Sequence, residues 1–571
     1  MKPVRLPASA TNALPRWALF SLCLLYILPG LFGRDPWKTE DASGFGIMWT
    51  MAHGGLEDWL WPHIAGLPMA EEGPLAFWIG AICIKLFGWL MGDALAARIA
   101  IIAFFLLGSL AVWYTTYLLG RRPEAQPLRL AFGGQPEASD YGRTLADGAL
   151  LIYLGCLGLL LPSHSTSAEA LQISLIALSL YGAARLFESH SLRAAGLFGL
   201  ALGLLVLTRG WVVPLALWFG LLVLASFHER SLLSRLILVA APVGIIVGCS
   251  WLFASSVVRP FNSSPYDAWM LWNYRQIDLP SWTSARYLLK NGIWAAWPAW
   301  PFAGWAIYAW RRQYQAPHIA LPLTFVIVCT LLALIHGHPE EATLLVFLPA
   351  LAILAAFGLP TMKRGAINAV DWFSVMTLTA CALFIWIGWI AKQTGWPAQL
   401  AKNAFKLAPG FKPEFSFIAF AVAALATAGW FVLVKWRVSR HPSVLWRAVV
   451  LSSGGVILCW LLLTTLWMPW INYGKSYAGV AKQIAETLPA EEYCVDTNVG
   501  SAQRASFAYF GGVQFAQFND DKCGFMLLQD NRRGKDDAET LLRTKDKWRL
   551  LWEGRRPSDR HERFRLYQRL N

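Results

Sequence analysis

Charged residues are scarce in this sequence, in which Asp, Glu, Lys and Arg together make up 15% of 571 residues. A soluble domain typically carries about a quarter charged residues, so the composition excludes a chain that is soluble along its whole length. Clusters of His and Cys are missing as well, which argues against a zinc site. The sequence contains no internal repeat of fixed period and no low-complexity tract. It also lacks an evident cleavable signal peptide, because the first apolar run has no convincing small-residue cleavage site and fits a signal anchor.

Hydrophobic residues are abundant in place of the missing charge. They make up 56% of the chain, and many of the 31 tryptophans lie at the ends of apolar runs. Indole rings favour the headgroup level of a bilayer, where an apolar body and a polar N–H are both satisfied. The net charge of +14 does not indicate nucleic-acid binding, because most basic residues upstream of residue 471 lie in loops between apolar stretches. We therefore predict an all-α, multi-pass membrane protein.

Apolar stretches that could cross a bilayer occur about thirteen times, since a spanning helix needs about 20 residues. The predicted spans lie near residues 17–33, 94–119, 145–162, 169–184, 195–208, 211–227, 233–255, 292–310, 318–335, 342–358, 370–391, 415–434 and 447–468. The run Pro74–Phe87 is shorter and contains Lys85. We therefore predict an interfacial helix at that run instead of a span.

The basic residues of the loops predict an orientation, because Lys and Arg concentrate on the cytoplasmic side of a membrane. With Lys2, Arg5 and Arg16 inside, the alternate loops that hold most other basic residues are cytoplasmic as well. The loops 259–290 and 392–412 are exceptions, and the second of them carries four lysines on the predicted outer side. The pattern predicts a cytoplasmic N-terminus, and with thirteen spans the C-terminus lies outside. The expected location is a bacterial inner (plasma) membrane, with the C-terminal part in the periplasm.

The composition changes near Ile471, where charged residues become more frequent and short apolar patches alternate with polar turns. We predict a transmembrane domain at 1–470, with a long first periplasmic loop at 34–93, and a small soluble α/β domain at 471–571. The second domain contains Cys494 and Cys523, which an oxidising compartment could join. Two reduced, buried cysteines are the alternative.

Acidic residues cluster in the first outer loop. Glu40 and Asp41 lie just after the first predicted span, and Glu71 and Glu72 follow farther along. A carboxylate at a membrane surface, shielded from bulk water, can be tuned as a general base. Solvated loop residues or helix caps are the alternative interpretation of the same acids.

Two further charged residues lie at the outer ends of predicted spans. Glu169 begins a span, where a carboxylate near hydrocarbon needs a role or a partner, although the helix dipole alone also favours a negative charge there. Arg209 lies in a very short loop, at the membrane surface or in a cavity, where its guanidinium group suits a phosphate. A snorkelling arginine that contacts any phospholipid headgroup is the alternative. Lys38 and Arg275 are further candidate cations for a phosphate.

The segment DWLWPHIAGLPMAEEGPLAFWIGAICIKLFG, with the acidic residues upstream of it, resembles the GT-C membrane glycosyltransferases of the aminoarabinose-transferase and protein O-mannosyltransferase type. The resemblance implies a GT-C-like fold in which Glu40 occupies the catalytic acid position, with Asp41 beside it. Glu71 matches the loop glutamate of the family, and Glu169 falls at its second-loop carboxylate. The TRG sequence that contains Arg209 matches the TKG of the family.

The chain differs from the family pattern around this site. Glu72 stands where the family has a lysine, and Ser43 and Gly44 stand where it has arginine and tyrosine. A later segment, HGHPEEAT, adds Glu340 and Glu341. Together these differences remove positive charge and add negative charge around the donor site that the resemblance implies.

The resemblance implies inverting transfer of a sugar from a polyprenyl-phosphate donor to a periplasmic acceptor, which could be a lipid, a glycan or a protein. Glu40 or Asp41 would act as the general base, and Arg209, with Arg275, would stabilise the leaving phosphate. Carboxylates such as Glu169 would orient hydroxyl groups. Membrane lipids are the expected surroundings, and a divalent metal ion is the one cofactor left open.

Two other functions remain open. A transporter or flippase would place charged or broken helices at mid-membrane, whereas the predicted span cores contain few ionisable residues. A catalytically silent GT-C-like protein, serving as a scaffold or as a polyprenyl-phosphate-binding subunit, is the second alternative, because the donor-site cations are altered.

Overall fold

The fold is described by a computed structural model over residues 4–69, 72–129, 134–258, 264–337, 340–438, 445–516, 523–531 and 547–570. Its first helices are α1 (Arg16–Ile27), α2 (Glu40–His53), α3 (Leu75–Met91), α4 (Asp93–Arg121), α5 (Ala138–Gly155), α6 (Leu157–Leu160), α7 (Glu169–Ser189), α8 (Leu192–Arg209), α9 (Val212–His228), α10 (Ser231–Arg235) and α11 (Ala241–Val258). A π-helical turn, Leu236–Ala240, joins α10 to α11.

The second half of the chain continues with helices and ends with a small sheet. The helices are α12 (Ser264–Arg275), α13 (Trp282–Ala295), α14 (Ala299–Ala309), α15 (Pro317–Ile335), α16 (Leu348–Ala356), α17 (Arg364–Thr394), α18 (Ala398–Leu407), α19 (Phe417–Val438), α20 (Arg447–Leu466), α21 (Met468–Lys475), α22 (Ala478–Thr487) and α23 (Ser501–Gly511). The strands are β1 (His63–Ile64), β2 (Leu67–Pro68), β3 (Val495–Thr497), β4 (Phe525–Asn531), β5 (Lys547–Gly554) and β6 (Glu562–Leu570).

Nine helical segments in the described ranges are long and apolar enough to cross a membrane. They are Asp93–Arg121, Glu169–Ser189, Leu192–Arg209, Ser231–Val257, Pro317–Ile335, Ala342–Thr361, Gly365–Thr394, Phe417–Arg437 and Val449–Leu466. A tenth candidate is the pair Ala138–Gly155 and Leu157–His164, which is bent by 73° at the break. The predicted all-α membrane fold is therefore confirmed.

Three of the predicted spans are shorter or broken in the structure, which is why the predicted count of spans is higher than nine or ten. The first apolar run forms only the 12 residues of α1, and α9 has 17 residues. The run near 292–310 is divided between α13 and α14. Hydrophobic content alone does not reveal such breaks, because the residues of a broken helix can all remain apolar. The run predicted to lie at the interface forms α3, which has 17 residues.

The C-terminal part forms a small mixed domain. Its sheet has the strand order β3-β4-β6-β5, in which β3 is parallel to β4 and the other neighbours are antiparallel. Helices α22 and α23 pack together and share one apolar core with the sheet, which includes Tyr477, Phe507 and Phe564. Cys494 and Cys523 form a disulfide, so the open choice between a disulfide and reduced cysteines is resolved in favour of the bond. The predicted domain boundary near residue 470 falls within α21.

Helix α2 of the first loop packs against α23 of this small domain. A Cβ atom added to Gly46 would lie 2.4 Å from the Cβ of Ala505, so glycine is required for the close approach of the two helices. The guanidinium group of Arg504 donates two hydrogen bonds to the carbonyl oxygen of Ala65 in the β1–β2 turn, at 3.1 and 2.6 Å. The first loop is therefore held between the helical bundle and the C-terminal domain.

Candidate active site

The acidic pair lies at the first turn of α2, and its two members have different surroundings. Glu40 is exposed, whereas Asp41 is buried. The carboxylate of Asp41 lies 2.8 Å from the Arg34 guanidinium and 3.8 Å from that of Arg98. It also accepts hydrogen bonds from the main-chain nitrogens of Trp37, at 3.0 Å, and Thr166, at 2.9 Å.

These contacts determine the protonation of Asp41. Burial by itself raises the pKa of a carboxyl group, but Arg34, Arg98 and the two main-chain donors together lower the pKa of Asp41 below its ordinary value. Asp41 is therefore a carboxylate at neutral pH, with all of these donors directed at it. A carboxylate stabilised in this way is a weak base, and its geometry suits a residue that holds two loops together.

Asp41 joins the first loop to the second. The Thr166 hydroxyl donates to the side chain of Asp41, at 3.0 Å, and to its main-chain oxygen, at 2.7 Å. Arg34 reaches the same segment, because its guanidinium donates to the carbonyl oxygen of His164 at 3.0 Å. A Cβ atom added to Gly44 would lie 2.1 Å from the Thr166 carbonyl oxygen, so the two loops are in direct contact there.

Glu169 lies at the start of α7, directly after the second loop. The hydroxyl of Ser167 donates a hydrogen bond to its carboxylate at 3.2 Å. Arg209, at the end of α8, lies 3.6 Å from the carboxylate of Glu169 and 4.0 Å from that of Glu72. One guanidinium group thus lies between two carboxylates, at the end of the bundle where α7 begins and α8 ends.

Gly210 follows Arg209 directly and forms the turn between α8 and α9. Gly210 has φ = 127°, a value that L side chains rarely adopt, and an added Cβ atom would lie 2.2 Å from the side-chain oxygen of Asn273. That oxygen accepts a hydrogen bond from the main-chain nitrogen of Trp211 at 3.0 Å. The Arg209 guanidinium carbon lies 5.8 Å from the ring centre of Trp272 on α12, which is within the range of a cation–π contact.

Arg209 borders a cavity of about 590 Å³, counting its open mouth, with both apolar and polar lining residues. We name it the polar cavity for the charged groups at its wall. The other polar residues that line it, mostly in loops at helix ends, are Gln172, Gln276, His336, Glu340 and Thr343. Glu340 and Glu341 also interact electrostatically with Glu169. The cavity therefore combines one arginine with the carboxylate of Glu340, and the carboxylate of Glu169 lies beside that arginine.

An apolar cavity lies on the other side of the same turn. Its volume is about 970 Å³, again counting the open mouth, and its lining is almost entirely apolar. Trp211 and Trp269 line it, together with residues of α8, α9 and α11. Helix α12 contributes to both cavities, through Trp272 on the polar side and Trp269 on the apolar side.

The other predicted site residues lie elsewhere. Lys38 forms ion pairs with Asp559, at 3.3 Å, and Glu562, at 3.9 Å, in the C-terminal domain. Arg275 is exposed at the end of α12, and it is not among the residues that line the polar cavity. Glu71 lies outside the described residues. Within the described residues, the structure shows an ion pair between a predicted cation and a predicted acid for Arg209 with Glu169.

Asn472 on α21 is a residue that sequence reasoning missed. Its side-chain oxygen accepts hydrogen bonds from the main-chain nitrogen of Asp35, at 3.2 Å, and the indole nitrogen of Trp37, at 2.8 Å. Its amide nitrogen donates to the carbonyl oxygen of Gly33 at 2.8 Å. Asn472 therefore holds the segment that carries Arg34, and no local pattern in the sequence signals this contact.

Arg98 was missed although a signal was present. It lies within the first long predicted span, and an ionisable residue in a spanning helix indicates a partner or a function. The structure shows that its guanidinium group donates to the main-chain oxygens of Arg34, at 2.5 Å, and Asp35, at 3.1 Å, near Asp41.

Metal ligands do not converge in the part of the chain that the structure describes. No group of three or more His, Cys, Asp and Glu residues is placed there so that it could hold a metal ion.

Comparisons with known proteins identify the fold. No protein-family model and no curated protein sequence matches the chain. A crystal structure of ArnT from Cupriavidus metallidurans bound to undecaprenyl phosphate superposes with a TM-score of 0.67 at 14% identity, covering 96% of this chain and 97% of that one. The apo structure of the same protein gives a TM-score of 0.63 at 15% identity, with the same coverage. The chain therefore has the GT-C-like fold of ArnT over nearly its whole length.

Proposed function

We propose that the protein is an inverting glycosyltransferase that moves a sugar from a polyprenyl-phosphate donor to the hydroxyl group of an acceptor. The observation that carries this proposal is the turn between α8 and α9, which borders both the cavity that contains Arg209 and Glu340 and the apolar cavity. A polyprenyl phosphate has the matching chemistry, with an anionic head for the guanidinium group and an apolar tail. The similar fold of ArnT, which was crystallised with undecaprenyl phosphate, supports the choice of lipid.

The reaction is a single displacement. A carboxylate takes the proton of the acceptor hydroxyl while the hydroxyl oxygen attacks the anomeric carbon. The bond from that carbon to the phosphate oxygen breaks, and the polyprenyl phosphate leaves with the bonding electron pair. Arg209 stabilises the negative charge of the leaving group. The configuration at the anomeric carbon is inverted, because only one displacement occurs.

Glu40 is the proposed general base, and Asp41 is a positioning residue beside it. Asp41 has too many donors and too low a pKa for the role of base, whereas Glu40 is exposed at the same helix start. The contact between Asp41 and Thr166 brings the segment that carries Glu40 against the segment that carries Glu169. Glu169, next to Arg209, then orients donor or acceptor hydroxyl groups.

The proposed location is the inner membrane of a bacterium, with the site on the periplasmic side. No nucleotide is available in that compartment, so a sugar activated on a lipid is the reasonable donor. With the N-terminus in the cytoplasm, most of the lysines and arginines in the loops lie on the cytoplasmic side, as expected for a membrane protein.

Transfer in proteoliposomes tests the proposal, with lipid-linked donors taken from cell extracts. We expect Glu40→Gln to lower kcat by about 10²–10⁴-fold, the usual contribution of a general base. Arg209→Gln should also lower turnover and weaken the retention of polyprenyl phosphate. Glu486→Gln, a change of the same type at an exposed position of α22, is the control and should behave like the wild type.

Two results would contradict the proposal. Wild-type protein that binds polyprenyl phosphate but transfers no sugar from any donor identifies a scaffold or lipid-binding subunit. Movement of the intact lipid-linked sugar across the bilayer, without cleavage of the phosphate bond, identifies a flippase.

A further inference from the structure

The segment between α17 and α19 contains an amphipathic helix that the proposed reaction does not use. Helix α18 connects two candidate spans, since Gly365–Thr394 ends just before it and Phe417–Arg437 begins soon after it. A helix of ten residues with short connections to two spans has to lie near the membrane surface. This is the segment whose lysines break the predicted charge pattern of the loops.

The two faces of α18 differ in chemistry. At 100° per residue, Gln399, Lys402, Asn403 and Lys406 share one side of the helix, and the other side is apolar. Ala401, in the middle of the apolar side, is only 4% exposed and faces the protein.

Large apolar side chains flank the buried alanine and remain exposed. Leu400 is 40% exposed, Phe405 42% and Leu407 62%, and Trp396 just before the helix is 73% exposed. Apolar side chains beside a lysine stripe are the pattern of a helix that lies in the plane of a membrane interface.

The four lysines of residues 392–412 are not equivalent. Lys392 is buried at the end of α17, where its ammonium group donates to the carbonyl oxygen of Leu466 at 3.3 Å and lies 5.0 Å from the ring centre of Trp467. Lys402, Lys406 and Lys412 are exposed. Three cations therefore remain at the surface, next to apolar groups at membrane level.

We propose that α18 is an interfacial helix whose exposed lysines bind the phosphate groups of anionic phospholipids in the surrounding bilayer. Charge complementarity selects this partner, because Lys402 and Lys406 are one helical turn apart on the exposed side of the helix, with the exposed side chains of Phe405 and Leu407 at the two edges of that side. The excess of lysine in the loop 392–412 then reflects lipid binding instead of a cytoplasmic location. The proposal is independent of the proposed reaction.

The loop that follows α18 contacts α21, the helix that carries Asn472. The hydroxyl of Tyr473 donates to the carbonyl oxygen of Pro409 at 2.8 Å, and its ring centre lies 5.5 Å from that of Phe411. The preceding residue is Asn472, which holds the segment before the acidic pair. Helix α18 is therefore at the same end of the bundle as the candidate site.

Lipid titration of the full-length protein in detergent, followed by native mass spectrometry, tests the proposal. The probes are phosphatidylglycerol, which is anionic, and phosphatidylcholine, which is not. We expect the wild type to prefer phosphatidylglycerol, and the double variant Lys402→Gln/Lys406→Gln to lose that preference by about tenfold or more in affinity. Lys482→Gln/Arg549→Gln, with the same charge change on the C-terminal domain, is the control and should keep the preference.

Hydrogen exchange of residues 398–407 in nanodiscs provides a second measurement. Stronger protection in phosphatidylglycerol than in phosphatidylcholine, lost in the Lys402/Lys406 variant, supports the proposal. An unchanged lipid preference in that variant overturns it. A change from dimer to monomer in the same variant also overturns it, because the face would then join two copies of the chain.

Discussion

One carboxylate oxygen of Asp41 accepts hydrogen bonds from both the main-chain nitrogen and the hydroxyl of Thr166, at 2.9 and 3.0 Å. The two residues belong to different loops, 125 positions apart in the sequence. The contact fixes the turn from which Glu169 emerges, so the arrangement of the acids around Arg209 depends on a residue that need not touch a substrate.

Thr166→Val tests this dependence. The substitution keeps the shape of the side chain and the main-chain donor but removes the hydroxyl, which costs about 1.5–3 kcal/mol for a bond to a charged group. We expect a lower melting temperature and reduced sugar transfer, with kcat affected more than KM. Thr487→Val is the matched control, because its hydroxyl donates an exposed hydrogen bond to the carbonyl oxygen of Gln483 in the last turn of α22. Equal effects of the two substitutions would refute the role of Thr166.

Asp41→Asn removes the charge that balances two buried guanidinium groups. Breaking a buried ion pair costs about 3–5 kcal/mol, so we expect a large loss of thermal stability at neutral pH. Asp496→Asn, at an exposed position of the C-terminal domain, should have little effect. The measurement is thermal unfolding of the purified proteins in detergent.

The same carboxylate makes stability depend on pH. Because the folded-state pKa of Asp41 lies below the ordinary value of 3.8, its contribution is fully present above that value and is lost as the pH falls through the lower folded-state pKa. The difference in melting temperature between wild type and Asp41→Asn should be constant from pH 7 to about pH 5. It should shrink in more acidic solution. A difference that grows on acidification would contradict the lowered pKa.

Gly44→Ala is expected to disrupt the contact between the first two loops. The added Cβ atom would lie 2.1 Å from the Thr166 carbonyl oxygen, so one of the two backbones has to move. We expect a loss of about 1–3 kcal/mol, which is typical of overpacking, and reduced transfer. In contrast, Gly479→Ala in α22 meets no atom within 4 Å and should be neutral or slightly stabilising, because alanine favours a helix. Thermal unfolding and sugar-transfer assays on both variants test this expected difference.

The disulfide between Cys494 and Cys523 closes a loop with a sequence separation of 29. Replacing both cysteines with serine should destabilise the C-terminal domain by about 3–4 kcal/mol, the expected cost for a loop of this length. Limited proteolysis should then cleave the domain faster, whereas the helical bundle remains resistant. Cleavage at the wild-type rate would show that the bond contributes nothing to the domain.

The bundle was predictable from sequence because each spanning helix carries its own signal, a long apolar run. The disulfide was not, because compartment arguments allow the bond but do not require it. Breaks such as the one between α13 and α14 were hidden, since apolar residues continue across them.

The site was only partly predictable, because its contacts join distant segments. Glu169 and Arg209 were expected to share one function, and the structure places them 3.6 Å apart. Lys38 was a candidate cation for a phosphate, and the structure shows it in an ion pair with the C-terminal domain. Its ion-pair partner, Asp559, is 521 residues away, and nothing local in the sequence indicates that pairing.

The three hydrogen bonds between Asn472 and the segment Gly33–Trp37 have a consequence for biosynthesis. The segment Gly33–Trp37 is made early, but the side chain that holds it lies beyond α20, the last candidate span. During synthesis, the helices up to α20 can insert before Asn472 has been made. The segment before Glu40 lacks its hydrogen-bond partner during that time. The acidic pair therefore acquires its final setting only after α21 has been synthesised, because Asn472 lies 435 residues beyond Trp37 in the sequence.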